Sequence, residues 1–387
     1  MTAQSRFAPF LLLAALVLPG SAALAATPIP KPPAVDSRSY ILMDYDSGRV
    51  LAEQLPDQRV EPASITKVMT VYVAFDAMRE KRATMDTDVP ISEKAWRQGK
   101  DSTESRMFLE VGKTAKFGDL LRGIIIQSGN DAAVALAEFL GGSEAGFAEM
   151  MNHYAQKLGM KDTHYADASG MPDPQHYTTA RDIARLSQAL IRDFPEQYRI
   201  FAEKEYTYHN IKQQNRNGLL WRDPTVDGIK TGHTSSAGYC LAASAKRGDM
   251  RLISVVMGTP SIKARESANA ALLSYGYTFY ETTKLKAKGD VIATPRVYKS
   301  EEETVPMIVP VNLFATVPRG QAASLKTTIR LNEPLVAPLA AGKAVGEITI
   351  TDSTGTVVGK SALVPAKAVP QAGWWTTMID SVALWFK

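Results

Sequence analysis

The sequence predicts an α/β (α+β) protein. One sheet is built from both ends of a first domain with a helical lobe inserted between them, and an all-β, sandwich-like domain and a C-terminal amphipathic helix follow. Three observations carry this reading. Hairpin-like runs flank a long block of helical periodicity, that periodicity disappears after about Lys286, and the final turns place large apolar side chains on one helical face.

The chain has 387 residues, enough for two or three domains, with 45% apolar and 22% charged residues, the profile of a globular protein with an ample core. Its formal charge of +4 is too mild to argue for nucleic acid. Residues 1–25 read as a signal peptide: Arg6 precedes an apolar stretch, and Ala23-Leu24-Ala25 resembles a cleavage site, so the mature chain is expected to begin at Ala26. The alternative, a membrane-spanning helix, fits poorly because the stretch is short and interrupted by Pro19 and Gly20. Cys240 is the single cysteine, which rules out an internal disulfide; its apolar setting, GYCLAASA, suits a buried inert thiol better than a nucleophile.

Taken in order, a Pro-rich lead-in is followed by SYILMDYDSGRVLAEQ, a hairpin turning at Asp46-Ser47-Gly48. Helical segments are expected at 62–80, 116–127, 130–141, 144–159 and 179–194. The last carries Ile183, Leu186, Leu190 and Ile191 on one face, with Thr179 as N-cap. From about 219 the pattern turns to strands, and GYCLAASA and MRLISVVMG flank Lys246-Arg247-Gly248-Asp249 as a second hairpin before a helix over 262–281. The expected domains are 26–285, then an all-β domain over 286–368 built of short alternating runs such as SLKTTIRL and EITITD, then a helix over 369–387. In that helix Trp374, Trp375, Met378, Ile379, Val382, Trp385 and Phe386 share a broad face opposite Thr376, Thr377, Asp380 and Ser381. Too short and polar to span a bilayer, it suits a helix lying in the interface with tryptophans at headgroup level, in preference to a terminal helix docked on the β-domain.

The chemistry begins at PASITKVMTVYVAF, Pro62 to Phe75. In a helix starting at Pro62, Ser64 sits where free N–H groups favour negative charge, and Lys67, three residues on, shares its face. The residues behind them are mostly apolar, so Lys67 should lose hydration, its pKa should fall, and the neutral amine can take the serine proton without a histidine. A solvated lysine at a surface helix start is the plain alternative. Ser128-Gly129-Asn130 offers a hydroxyl and an amide at a helix junction, or an ordinary N-cap; Ser267 to Asn269 repeats the Ser-x-Asn string inside a helix. Lys230-Thr231-Gly232, followed by His233, puts a cation, a hydroxyl and a glycine where an extended peptide could be held by its carboxylate, or is a plain turn.

The set is specific where its members are not. Ser128 follows Ser64 by 64 residues, and Lys230 follows Ser128 by 102. Ser-x-x-Lys, Ser-x-Asn and Lys-Thr-Gly together mark the serine β-lactamase and penicillin-binding-protein fold, usually with Asp in the middle of the second motif, where Gly129 stands here. With QSGNDA, NRNGLLW, VDGIKTGHT and MRLISVVMG, the chain from about residue 30 to its tail resembles the low-molecular-mass penicillin-binding proteins that are D-alanyl-D-alanine carboxypeptidases with a C-terminal β-domain and an amphipathic anchor.

That resemblance implies roles. Ser64 is the nucleophile and Lys67 the base for acylation; Ser128 and Lys230 relay protons to the leaving amine; Asn130 positions the substrate amide. The backbone N–H groups of Ser64 and His233 form the oxyanion hole, Lys230, Thr231 and Gly232 face the substrate carboxylate, and Arg265 and Arg216 belong to carboxylate binding and site electrostatics unless they are surface ion-pair residues. The substrate is the peptidoglycan stem peptide, β-lactams are covalent inhibitors, and the expected location is the periplasm, at the outer face of the inner membrane.

Two other readings differ by chemistry. A β-lactamase needs a placed base, commonly Glu-x-x-x-Asn between the second and third motifs, and the sequence from Asn130 to Lys230 holds no such string. A non-enzymatic sensor or wall-binding module would keep the fold without turnover, against which the three intact motifs argue. No metal or cofactor is implied. His153, His164, His176, His209 and His233 lack ligand spacings and read as surface or hydrogen-bonding residues, and a Gly-rich phosphate loop is missing.

Overall fold

The computed structural model describes residues 29–98 and 104–386; the expected signal peptide lies outside them. The hairpin Ser39–Asp44/Val50–Gln54 and the strands Met250–Thr259, Gly238–Arg247 and Val226–Thr234 form one antiparallel five-stranded sheet. Ser39–Asp44 pairs with Met250–Thr259, so the two ends of the domain meet at the centre of the sheet and the helices between them form the inserted lobe.

Alternation assigns each face. Ile41, Met43, Ile253, Val255 and Met257 pack into the core shared with the helical lobe, while Leu42, Leu252, Val256, Leu241 and Ala243 pack against Leu272 and Leu273 of the helix Ile262–Phe279. The helix Lys67–Arg79 is buried from Lys67 through Ala77, as a central helix must be.

Several expected boundaries move. The segment 62–80 is not one α-helix: Ala63 takes a left-handed conformation (φ +48°), a 3₁₀ turn follows over Ala63–Thr66, and the α-helix begins at Lys67. The segment 116–127 is an α-helix only over Phe117–Arg122, then widens into a π-helical turn, Gly123–Gln127. A two-stranded ribbon, Asp88–Pro90 with Thr114–Lys116, lies within the helical block. Strands do not begin at 219. Leu219–Arg222 is a helical turn, and a polar hairpin, Glu205–Tyr208 with Ile211–Gln214, precedes it. Thr179 caps Ala180–Asp193 as expected, its Oγ1 accepting from the Asp182 N–H at 3.1 Å.

Tyr280–Lys286 pairs with Leu313–Pro318, and a five-stranded sheet runs Val291–Ala293, Met307–Ile308, Val357–Pro365, Gly346–Thr351, Lys326–Leu331. Leu313, Ala315, Val317, Ile348, Ile350 and Leu363 fill the core between them. This β-unit is hydrogen-bonded to the first sheet: Thr282 Oγ1 donates to buried Asp44 at 2.7 Å, and Arg49 Nη1 to the Thr316 carbonyl at 2.5 Å.

The helix Trp374–Trp385 turns Asp380 inward, with Thr377 half-buried and Thr376 and Ser381 exposed. Asp380, 5% exposed, accepts from Arg296 Nη2 at 3.2 Å and from the Lys299 backbone N–H, while Trp374 (65%), Ile379 (62%) and Trp385 (90%) face outward. Among the described residues, no helix is long and apolar enough to cross a membrane.

Candidate active site

Three walls come together around Ser64. The first is its own turn. Residues three apart eclipse in a 3₁₀ turn, which brings Lys67 Nζ to 3.0 Å from Ser64 Oγ. Lys67 is wholly buried; its Nζ also lies 2.8 Å from Asn130 Oδ1 and 2.6 Å from the Ser169 carbonyl. Burial pushes its pKa down to about 7, with Arg216 adding to the fall and Asp167, Asp131 and Glu104 opposing it.

The second wall ends the π-helical turn. Ser128 closes it in the left-handed region (φ +66°), and its buried Oγ has no hydrogen-bond partner among the described residues. Asn130 opens the helix Asn130–Gly141 without a side-chain cap, so the N-cap alternative is not what this motif provides. A Cβ on Gly129 would sit 2.8 Å from Asp131 Oδ1 and 3.1 Å from the Met107 nitrogen, which is why glycine stands between Ser128 and Asn130. The Asp131 carboxylate accepts from the Met107 and Leu109 N–H groups at 2.8 and 3.1 Å, and the Asn130 N–H donates to the Ser105 carbonyl at 2.8 Å, pinning the segment from Glu104 onward beside the motif.

The third wall is the edge strand Val226–Thr234. Gly232 lets it press on the nucleophile turn: a Cβ there would lie 2.9 Å from the Pro62 carbonyl oxygen and 3.2 Å from the Ile65 nitrogen. Lys230 is buried, its Nζ donating to the Thr231 carbonyl at 3.2 Å, and burial, then Lys67, Arg216 and Arg265, hold its pKa well below that of an ordinary lysine. Arg265 is buried and donates to the Gly232 carbonyl at 3.3 Å and the Arg216 carbonyl at 3.5 Å; burial lowers its pKa to about 10. Among the described residues, Arg216 and Arg265 have no carboxylate within ion-pair distance, so their guanidiniums leave the pocket positive without a counter-ion and suited to a bound anion. His233 projects outward and stacks on Tyr239, ring centroids 4.0 Å apart. Cys240 is buried, and burial pushes its thiol up to about 11.

A cavity of about 260 Å³ is lined by Ser64, Ser128, Thr231, Gly232, Arg216 and Arg265, among others. A second, of about 430 Å³, is lined by Ser64, Glu104, Asn130, Gly170, Met171 and Ser236, among others. They share Ser64 and His233, so one cleft passes over the hydroxyl. All ten residues expected at the site gather here. The second Ser-x-Asn string does not: Asn269 is buried in Ile262–Phe279 and donates to the Arg265 carbonyl at 2.8 Å.

Sequence reasoning missed the loop 166–173. The Asp167 carboxylate accepts from the N–H groups of Ser169 (2.7 Å) and Gly170 (2.6 Å) and faces His176 at 3.1 Å. Burial opposes its ionisation, but His176 and those N–H groups outweigh burial and hold the carboxyl well below the usual range. Of the two expectations for His176, surface or hydrogen-bonding, it is the second: the ring is buried and hydrogen-bonded to Thr66 Oγ1 at 2.8 Å. Glu104 was also missed; its Oε2 accepts from Asn130 Nδ2 at 3.1 Å. The spacing of Asp167, Ser169 and Glu104 matches no motif.

Comparison with known proteins gives a consistent result. Residues 26–261 match the D-alanyl-D-alanine carboxypeptidase family, and residues 280–371 match the penicillin-binding protein 5 C-terminal domain. The chain is 43% identical over 364 residues to D-alanyl-D-alanine carboxypeptidase DacA of Escherichia coli, covering 93% of this chain and 90% of that protein. Penicillin-binding protein 5 from Haemophilus influenzae superimposes with a TM-score of 0.83 at 42% identity, covering 88% of this chain and all of that one. Penicillin-binding protein D2 from Listeria monocytogenes, solved in its cefotaxime-bound form, has a TM-score of 0.59 at 28% identity over 64% of this chain and all of its own.

Proposed function

The chain belongs to the D-alanyl-D-alanine carboxypeptidase family of penicillin-binding proteins, and from that membership we propose how its residues divide the reaction. The activity is that of a serine-type carboxypeptidase acting on peptidoglycan peptides and binding β-lactams.

Ser64 Oγ bonds to the carbonyl carbon of the penultimate D-alanine while its proton passes to neutral Lys67. The backbone N–H groups of Ser64 and His233 receive the oxyanion, each donor contributing about 3–4 kcal/mol. As the C–N bond breaks, Ser128 and Lys230 relay a proton to the departing amine, and D-alanine leaves. Water then adds to the ester and frees Ser64. Asn130 holds the substrate amide, and the terminal carboxylate meets Lys230, Thr231, Gly232, Arg265 and Arg216. A β-lactam amide enters the same step and stays on Ser64 when water adds slowly.

One observation carries this reading: a wholly buried amine, without an ion-pair partner among the described residues, lies 3.0 Å from a hydroxyl on the cleft. The test is release of D-alanine from a stem pentapeptide by the purified full chain, beside Ser64→Ala. Release by the first alone, with a long-lived benzylpenicillin adduct on Ser64, supports the assignment. Release by neither points to a sensor, and rapid repeated hydrolysis of benzylpenicillin to a β-lactamase.

For location, the outward apolar stripe on Trp374–Trp385 and the inward Asp380 support a helix lying flat in a lipid interface. With residues 1–25 read as an export signal, this supports a periplasmic protein attached peripherally to the outer face of the inner membrane. The catalytic unit ends with the helix Ile262–Phe279, a few residues before the expected boundary at 285, because the strand Tyr280–Lys286 pairs within the β-unit; the β-unit and the terminal helix serve placement rather than chemistry.

A further inference from the structure

We propose that Glu104 is a positioning residue for acylation: by accepting from Asn130 Nδ2 it fixes which end of the Asn130 amide faces Lys67, and so aims the lone pair of Lys67 at Ser64. This rests on the reading of Lys67 as the base.

The geometry leaves Lys67 little choice. Its Nζ has three neighbours within hydrogen-bond distance: Ser64 Oγ, Asn130 Oδ1 and the Ser169 carbonyl. A neutral amine has two N–H groups and one lone pair. The Asn130 and Ser169 oxygens can only accept, so they take both N–H groups. The lone pair is left for the one neighbour that can donate, the Ser64 hydroxyl.

This holds only while Asn130 presents its oxygen. An amide turned end for end would offer N–H to Lys67, which could then spend its lone pair on Asn130. Glu104 opposes the turn. Its carboxylate can accept from Nδ2 and would meet a second acceptor if the amide reversed. The other neighbour of Nδ2 is Met171 Sδ at 3.7 Å, a weak acceptor that a substrate carbonyl can replace without disturbing Glu104. Glu104 is itself held in register, since the next residue, Ser105, accepts from the Asn130 N–H at 2.8 Å.

The test is the pH profile of benzylpenicillin acylation by the full chain for Glu104→Ala and Glu104→Gln, with thermal unfolding as a check on folding. Glu104→Ala removes the acceptor and should lower the high-pH plateau by about tenfold, part of the 10²–10⁴-fold that a positioned base supplies. Glu104→Gln keeps an acceptor and should recover most of the loss. In both variants the acid limb should move to lower pH, because a carboxylate that supports the Lys67 ammonium is gone, while Asp167, Asp131, Arg216 and Lys230 remain around it. Glu104→Leu, of similar bulk without an acceptor, gives the same comparison should the Ala variant fail to fold. A wild-type plateau in the acceptor-free variant, or an equal fall in Glu104→Gln, overturns the proposal. Lys67→Arg is measured alongside. Normal acylation by that variant removes Lys67 itself from the base role, whereas loss in Lys67→Arg with none in Glu104→Ala removes only the part given to Glu104.

Discussion

Gly170 lies against Ala63 so closely that a Cβ on it would stand 1.8 Å from the Ala63 carbonyl oxygen and 2.8 Å from Thr66 Oγ1. Two left-handed residues, Ala63 at φ +48° and Gly170 at φ +89°, thus lock the loop 166–173 onto the nucleophile turn and set the Ser169 carbonyl beside Lys67. Gly170→Ala faces the left-handed penalty of about 1–2 kcal/mol and an overlap with backbone that no rotamer relieves. Its expected Tm is lower by roughly 5 °C or more, with benzylpenicillin labelling reduced because the carbonyl is displaced. Melting and labelling curves check both, and wild-type values would show that the loop does not position Lys67.

The buried amine makes a prediction about stability as well as rate. Only neutral Lys67 can take the serine proton, so acylation should rise with pH and be half-maximal near pH 7. The folded chain resists protonating Lys67, so between about 7 and 10.5 the unfolded state binds more protons. Stability therefore gains with pH across that window, and the penalty of the buried ammonium is fully present below it. Lys67→Met lacks this dependence. The stability of the wild type relative to that variant should improve from pH 7 towards pH 10, measured by denaturant titration at each pH. A flat difference would mean that Lys67 keeps its proton in the fold.

Gly232→Ala tests the contact between the third motif and the first. Its Cβ would enter the space of the Pro62 carbonyl, so the edge strand must back away from Ser64. The fold should survive, since the strand keeps its pairing with Gly238–Arg247, but acylation should fall on the order of 10²-fold, as expected for a site opened by about 1 Å. Stopped-flow acylation with melting as control separates the two effects.

Cys240 gives a simpler measurement. Its thiol is buried beneath the Gly258 N–H and pushed up to about 11 by burial, so the thiolate is scarce and inaccessible at neutral pH. Thiol reagents should leave D-alanine release intact and label the chain only after unfolding; rapid labelling of the folded enzyme would contradict this burial.

Which parts of this were legible follows from where the information lies. The Ser64, Ser128 and Lys230 motifs are short side-chain patterns, and their spacing could be read directly. The two sheet hairpins could be read because Ile41 and Met43, or Ile253 and Val255, alternate across a sheet covered on both faces. Ser169 was invisible because it contributes a carbonyl, which every residue has. Glu104 acts through a contact 26 residues away and leaves no local pattern; Asp167 bonds the N–H groups of Ser169 and Gly170, a local Asp-Ala-Ser-Gly turn that marks a loop but not its place beside Lys67. The hairpin Glu205–Gln214 turns at His209-Asn210 without glycine, and although Tyr206 and Tyr208 alternate with Glu205 and Thr207, its second strand is polar and mostly exposed, which left the signal weak. The 3₁₀ turn Ala63–Thr66 opens on the left-handed Ala63, which composition gives no reason to expect.

Membrane attachment, as proposed for the C-terminal helix, can be tested apart from the helix's orientation. Its apolar stripe faces outward, whereas Asp380 ties it to the β-unit through Arg296 and the Lys299 N–H. Truncation after Val369 should leave Ser64 acylation by benzylpenicillin unchanged and abolish binding to anionic phospholipid vesicles, as should charged substitutions at Trp375 and Ile379. Asp380→Ala keeps the stripe and should still bind vesicles, but the helix loses its buried anchor. Proteolysis between Val369 and Trp374 should then become faster in the variant than in the wild type. Vesicle sedimentation and timed proteolysis read the two properties separately. Undiminished vesicle binding by the truncated chain would remove the helix from any role in membrane attachment.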